Sequence, residues 1–255
     1  MEPILEINNL NFKYSKYQKE ILKNLNFKIE HQINFILGLN GIGKSTLLKI
    51  ITGIEKKYKG EIILKNTLNI KKLSNFKKSK IIAYVSQLTD DNNDFLVNDF
   101  LRLNLYNQNI KSLKKQNEII SKYAKQFEIE SLINKNYNEL SGGEKQIVNI
   151  VSAFVQNSEI IILDEPTSAL DLANKEKILS IIKNNADKKI FIISSHEPNH
   201  ALLLNAYVYI INNSQIQIEG FAKDIINKNN MQKIYGDSIC YSNELEYKSI
   251  DIKIK

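Results

Sequence analysis

A chain of 255 residues has room for one large α/β domain, or for one such domain with a smaller insert. Its 43% hydrophobic and 25% charged content is ordinary for a soluble globular protein, and no apolar run approaches the roughly 20 residues needed to span a bilayer. The net charge of +7 invites a nucleic-acid role, but of the 35 basic residues only Arg102 is arginine, and the lysines are spread along the chain, so no nucleic-acid partner is expected. The longest apolar candidate, Ala201 to Ile211, is interrupted by Asn205, so any membrane role is expected to come through a partner. Cys240 stands alone, which excludes an internal disulfide framework and suits a reducing compartment. Met1-Glu2-Pro3 opens no basic and apolar leader, so no secretory signal is expected.

Residues 4–14 read as a strand with loose alternation, and Leu22, Leu25, Phe27 and Ile29 as a second. Between them Tyr14 offers a ring either to an adenine or to its neighbours. The apolar run Ile33 to Leu37 then leads into Gly38-Leu39-Asn40-Gly41-Ile42-Gly43-Lys44-Ser45-Thr46, and Leu47, Leu48, Ile50 and Ile51 continue as a helix ended by Gly53. Strand, glycine-rich loop and helix are what a phosphate-binding loop requires. The glycines let successive N–H groups turn around a phosphate at the positive end of a helix dipole. Lys44 can reach the β- and γ-phosphates, and Ser45 can offer its hydroxyl to Mg²⁺. The pattern predicts a nucleoside triphosphate site.

A hairpin-like stretch follows over Gly60 to Leu64, Leu68 and Ile70, and Ile81 to Val85 reads as a buried strand ended by Ser86-Gln87. Helical periodicity then takes over: Ile119, Tyr123 and Phe127 share one face, with Ile120 and Ala124 beside them. Leu140-Ser141-Gly142-Gly143-Glu144 opens another helix, with Ser141 as N-cap and glycines that expose N–H groups to an anion. Ile160 to Leu163 is a wholly apolar strand ending in Asp164-Glu165-Pro166, where open α/β sheets place ligands. Ile190 to Ile193 is another, ended by Ser194-Ser195-His196; His196 is either a surface residue or a site residue.

Taken in this order and at these spacings, the residues resemble an ATP-binding-cassette (ABC) ATPase across nearly the whole chain. Within that resemblance Ser168-Ala169-Leu170-Asp171 is similar to the D-loop, Gln87 to the Q-loop residue, His196 to the switch histidine and Tyr14 to the adenine-stacking aromatic. The implied fold is α/β: a P-loop NTPase core with a mixed sheet, an N-terminal antiparallel β subdomain and an inserted helical subdomain. The implied division is a single ABC ATPase domain, with core segments 1–87 and 146–230, a helical insert 88–145 carrying the signature, and a tail 231–255.

The resemblance also assigns roles. ATP is bound by Tyr14, Asn40, Gly41, Gly43, Lys44, Ser45 and Thr46, with Gln87, Asp164 and Asp171. Mg²⁺ is held by Ser45, Gln87 and Asp164, Glu165 polarises the attacking water, and His196 contacts the γ-phosphate. Ser141, Gly142 and Gly143 meet the nucleotide of a second copy, so an ATP-bound homodimer is implied, beside membrane permease subunits and, indirectly, a substrate-binding protein at the cytoplasmic face of the membrane. Lys145 stands where most relatives carry arginine. Val97-Asn98-Asp99-Phe100-Leu101, His196-Glu197-Pro198-Asn199 and Ile234-Tyr235-Gly236 resemble importers of iron chelates, haem or cobalamin. Lipoprotein-release or cell-division cassettes, and non-transport cassettes acting on nucleic acid, are the alternatives. Docking of the permease is expected around Leu88, Phe95, Leu96, Val97 and Phe100.

Overall fold

The computed structural model describes residues 4–87, 94–168, 170–236, 239–242 and 249–252. In chain order its strands are β1 (Leu5–Phe12), β2 (Leu22–Ile29), β3 (Ile33–Leu37), β4 (Lys59–Leu64), β5 (Leu68–Asn69), β6 (Ile82–Val85), β7 (Ile160–Asp164), β8 (Ile190–Ser195), β9 (Tyr207–Asn212), β10 (Gln215–Phe221), β11 (Ile239–Ser242) and β12 (Ser249–Ile252). Its α-helices are α1 (Lys44–Thr52), α2 (Asn75–Ile81), α3 (Val97–Leu103), α4 (Leu113–Gln126), α5 (Gly142–Gln156), α6 (Leu172–Asn185), α7 (Pro198–Leu203), α8 (Ala222–Ile225) and α9 (Lys228–Tyr235). These elements form two compact units, Met1–Leu73 with Ile190–Lys255, and Ser74–Lys189.

The first unit holds an antiparallel sheet in the order β2-β1-β4-β5. It also holds the mixed run β10-β9-β3-β8, in which β3 is parallel to both β8 and β9 while β10 is antiparallel to β9. All five residues of β3 are buried, as expected of a strand covered on both faces, and each such large apolar side chain contributes about 1.5–3 kcal/mol. The loose alternation of the first strand has a cause: Asn9 takes φ 49°, and the register with β2 shifts on either side of Leu10. The strand accordingly ends at Phe12, short of the expected residue 14. The apolar run from Ala201 to Ile211 is not one element. Asn205, at φ 46°, turns the chain between α7 and β9.

In the second unit β6 and β7 are parallel neighbours, and α5 packs against both strands and against α3 and α4. Ile81, read as a strand residue, instead closes α2, whose N-cap Ser74 accepts from the Lys77 N–H. The buried stripe of α4 is Ile120 and Ala124, continued by Phe127 just beyond its end, at i, i+4 and i+7; Ile119 and Tyr123 are only half-buried beside it. Phe127 meets Phe154 of α5 with ring centroids 5.0 Å apart. Of the expected docking residues, Val97 is fully buried and Phe100 is half-buried against Tyr137, 5.0 Å between rings. Phe95 and Leu96 stay exposed, and Leu88 lies outside the described residues.

Candidate functional site

The phosphate loop springs from the carboxyl end of β3 and delivers the chain into α1 through Gly43. Gly43 has φ 108°, and a Cβ there would stand 2.8 Å from Ile21 Cγ2 and 3.0 Å from Leu22 Cδ2. Only glycine allows both that backbone and that approach. Lys44 is 5% exposed, and its Nζ donates to the carbonyls of Gly38 at 2.9 Å and Leu39 at 3.2 Å. A buried ammonium is costly without such partners, and here the loop's own backbone supplies them beside a helix N-terminus. Ser45 is half-buried and Thr46 buried, whereas Asn40 and Gly41 form an exposed loop tip.

Tyr14 is brought to this loop. Its hydroxyl lies 3.0 Å from that of Thr46, and its ring stands edge-on to Phe12 at 4.8 Å. His196 enters from the next strand: Ser195 of β8 pairs in register with Leu37 of β3, so His196 and Gly38 leave the mixed sheet at the same edge. The turn after His196 is held by the Glu197 N–H, which donates to Ser195 Oγ at 3.0 Å, and by the 3.2 Å contact of Glu197 with His200.

The second unit carries the remaining expected residues. β7 delivers Asp164 and Glu165, which are 2% and 5% exposed. Val85 of β6 pairs with Leu163 of β7, so Gln87, exposed, and Glu165 each stand two residues beyond a paired position on the same edge. Tyr84 donates its hydroxyl to Asp164 Oδ2 at 3.2 Å. Glu165 takes φ 50°, a conformation that costs about 1–3 kcal/mol for a side chain of this kind and persists only when its surroundings impose it. Here the Ser168 N–H and Oγ both donate to the Glu165 carbonyl, at 3.2 Å and 3.0 Å, and Gln146 Nε2 donates to the Pro166 carbonyl at 3.3 Å.

Ser141 caps α5 in a reciprocal box. Its hydroxyl accepts from the Glu144 N–H at 3.3 Å, and Glu144 Oε2 accepts from the Ser141 N–H at 2.8 Å. The bond from the Ser141 backbone, then that from its side chain, holds the Glu144 carboxyl below the usual carboxylate range. Gly142 is exposed and Gly143 half-buried, and a Cβ on Gly142 would meet nothing within 4 Å. Lys145 is buried against Tyr137, its Nζ 5.9 Å from the ring centroid. Asp171 is exposed and caps α6, accepting from the Asn174 N–H at 2.8 Å. Tyr84, Glu144 and Gln146 are additions that sequence reasoning missed. Glu144 was readable, three residues after its Ser; Tyr84 and Gln146 make contacts too distant in sequence to be seen.

Ser45 in the first unit, and Gln87 and Asp164 in the second, each carry an oxygen donor of the kind that a hard cation takes. Among the described residues no three of His, Cys, Asp or Glu gather as a cage. No helix among the described residues is long and apolar enough to cross a membrane.

Comparison with known proteins gives a consistent picture. The family model for ABC transporters matches residues 22–168. An ABC transporter ATP-binding protein of Clostridium tetani is 38% identical over 231 residues, which is 88% of this chain and 51% of that protein, so the chain spans about half its length. An iron chelatin transport ATP-binding protein of Helicobacter pylori is 31% identical over 255 residues, 95% of this chain and 98% of the relative. Among solved structures, an inward-facing ABC transporter of metal-chelate type superposes with TM-score 0.82 at 23% identity, covering 100% of this chain and 98% of the other; it speaks for the fold alone. A dimeric cassette of an ABC transporter, in a post-hydrolysis state with ADP and Pi, superposes with TM-score 0.76 at 26% identity over 86% of this chain and 98% of the other.

Proposed function

Since this chain belongs to the ABC transporter family and is one of its ATPases, with the P-loop cassette fold, we propose that it powers the import of a metal chelate, an iron chelate or cobalamin, through a separate membrane permease. The observation that carries the substrate class is the likeness, nearly end to end, to the Helicobacter pylori protein of iron chelatin transport. Under this reading Tyr14 stacks on the adenine, and Lys44 with the amides of Asn40 to Thr46 grips the phosphates. Ser45, Gln87 and Asp164 would hold magnesium, which would supply charge neutralisation at the phosphates. Glu165 orients the attacking water from a turn whose backbone the Ser168 bonds hold in place. His196 meets the γ-phosphate.

Ser141, Gly142 and Gly143 serve the nucleotide of a second copy, so the working form is a homodimer about a two-fold axis. The cassette sits at the cytoplasmic face of the membrane on permease subunits, which receive cargo from a substrate-binding protein, and Phe95 and Leu96 offer exposed apolar contacts to the permease.

Two measurements test the reading. Glu165→Gln should keep ATP binding while hydrolysis falls by about two orders of magnitude or more, because the group that orients water is gone. Lys44→Ala should instead weaken binding of a fluorescent ATP analogue. In cells that depend on this chain, uptake of radio-iron as a ferric chelate, or of labelled cobalamin, should collapse with Glu165→Gln. Near-normal hydrolysis in that variant refutes the role of Glu165, and undiminished uptake of every such chelate refutes the substrate class.

A further inference from the structure

Within the first unit, the residue expected to carry the base and the loop expected to carry the phosphates are tied together at two points. Tyr14 and Thr46, 32 residues apart, place their hydroxyls 3.0 Å from each other. Ile21 and Leu22 close on Gly43, and the Ile21 N–H donates to the Phe12 carbonyl at 2.9 Å, just before Tyr14 in the chain. Tyr14 is 58% exposed, so burial does not hold it. Its position rests on the bond to buried Thr46 and on edge-on contact with Phe12, whose ring is 88° to its own. An exposed tyrosine on a loop samples several rotamers, and a ligand stacking on it would have to freeze them out of its own binding energy. The bond to Thr46 does that in advance.

We infer that Tyr14 acts through its hydroxyl as a positioning residue. The Tyr14–Thr46 bond fixes the ring as a preformed base platform at a set distance from the phosphate loop, so that binding of base and triphosphate reinforce each other. This rests on the nucleotide reading of the loop, and the test separates the two. Affinity for a fluorescent ATP analogue, and for inorganic tripolyphosphate in competition with it, is measured for wild type, Tyr14→Phe, Thr46→Val, Thr46→Ser and the Tyr14→Phe/Thr46→Val double variant.

Tyr14→Phe keeps the ring and removes the tie, so analogue affinity should fall about three- to ten-fold, the scale of one hydrogen bond, while tripolyphosphate, which has no base, binds as before. Thr46→Val should lose at least as much, since it removes the same tie, and Thr46→Ser should restore most of the loss. The double variant should be no weaker than Thr46→Val, because the tie can be broken only once. Wild-type affinity in Tyr14→Phe, losses that multiply in the double variant, or an equal loss of tripolyphosphate binding each overturn the inference alone. Failure of the wild type to bind the analogue overturns the nucleotide reading and the inference with it.

Discussion

Replacing Gly43 with alanine asks how tightly the phosphate loop is built into its surroundings. The substitution meets two penalties. An L residue at φ 108° costs about 1–3 kcal/mol, and the new Cβ, 2.8 Å from Ile21 Cγ2 and 3.0 Å from Leu22 Cδ2, adds an overpacking cost of about 1–3 kcal/mol. Ile21 is half-buried and can yield, whereas Leu22 is fully buried and cannot, so the total should lie near the middle of the sum, about 3–4 kcal/mol. For a chain of this size that is a fall in Tm of about 6–16 °C.

Gly41→Ala is the control. Gly41 also has positive φ, 77°, but its Cβ would meet nothing within 4 Å, so only the backbone penalty applies and the fall should be roughly half as large. Thermal unfolding followed by circular dichroism, without nucleotide, compares the two. Ile21→Ala tests the contact itself: it should cost stability alone and recover part of the loss in the Gly43→Ala background. Equal falls for Gly43→Ala and Gly41→Ala, with no recovery from Ile21→Ala, would refute the packing argument and leave the backbone as the whole effect.

Glu144, held below its ordinary value by the Ser141 cap, contributes stability above about pH 4.5 that is lost as pH falls through its lowered folded value. Glu144→Gln should therefore melt below wild type at neutral pH and converge with it in acid; a gap that persists unchanged to pH 3 contradicts this. Mixing Ser141→Arg chains with Lys44→Ala chains should recover part of the ATP occupancy that neither variant has alone, since one site of the mixed dimer escapes both changes. Demonstrated mixed dimers without recovery would count against a site shared between copies.

The features legible along the chain are those that short-range chemistry dictates. Three glycines around Lys44 between an apolar strand and an apolar-periodic helix specify the phosphate loop, because each residue of that pattern acts on its immediate neighbours. The cap at Ser141 and the buried strand ending at Asp164 were legible for the same reason. Tertiary structure decided what depends on contacts far apart in the chain. Tyr84 reaches Asp164 across 80 residues, and Tyr14 reaches Thr46 across 32; no local signal marks either pair. The strained backbone of Glu165 depends on Ser168 and on the α5 residue Gln146 holding the turn around it, so its identity as a carboxylate was readable and its conformation was not. Apolar composition suggested Val97 and Phe100 as docking surface, but packing buried Val97, half-covered Phe100 and left Phe95 and Leu96 outside. A hydrophobic side chain favours burial equally in its own core and in a partner's, and only the arrangement of the neighbouring helices distinguishes the two.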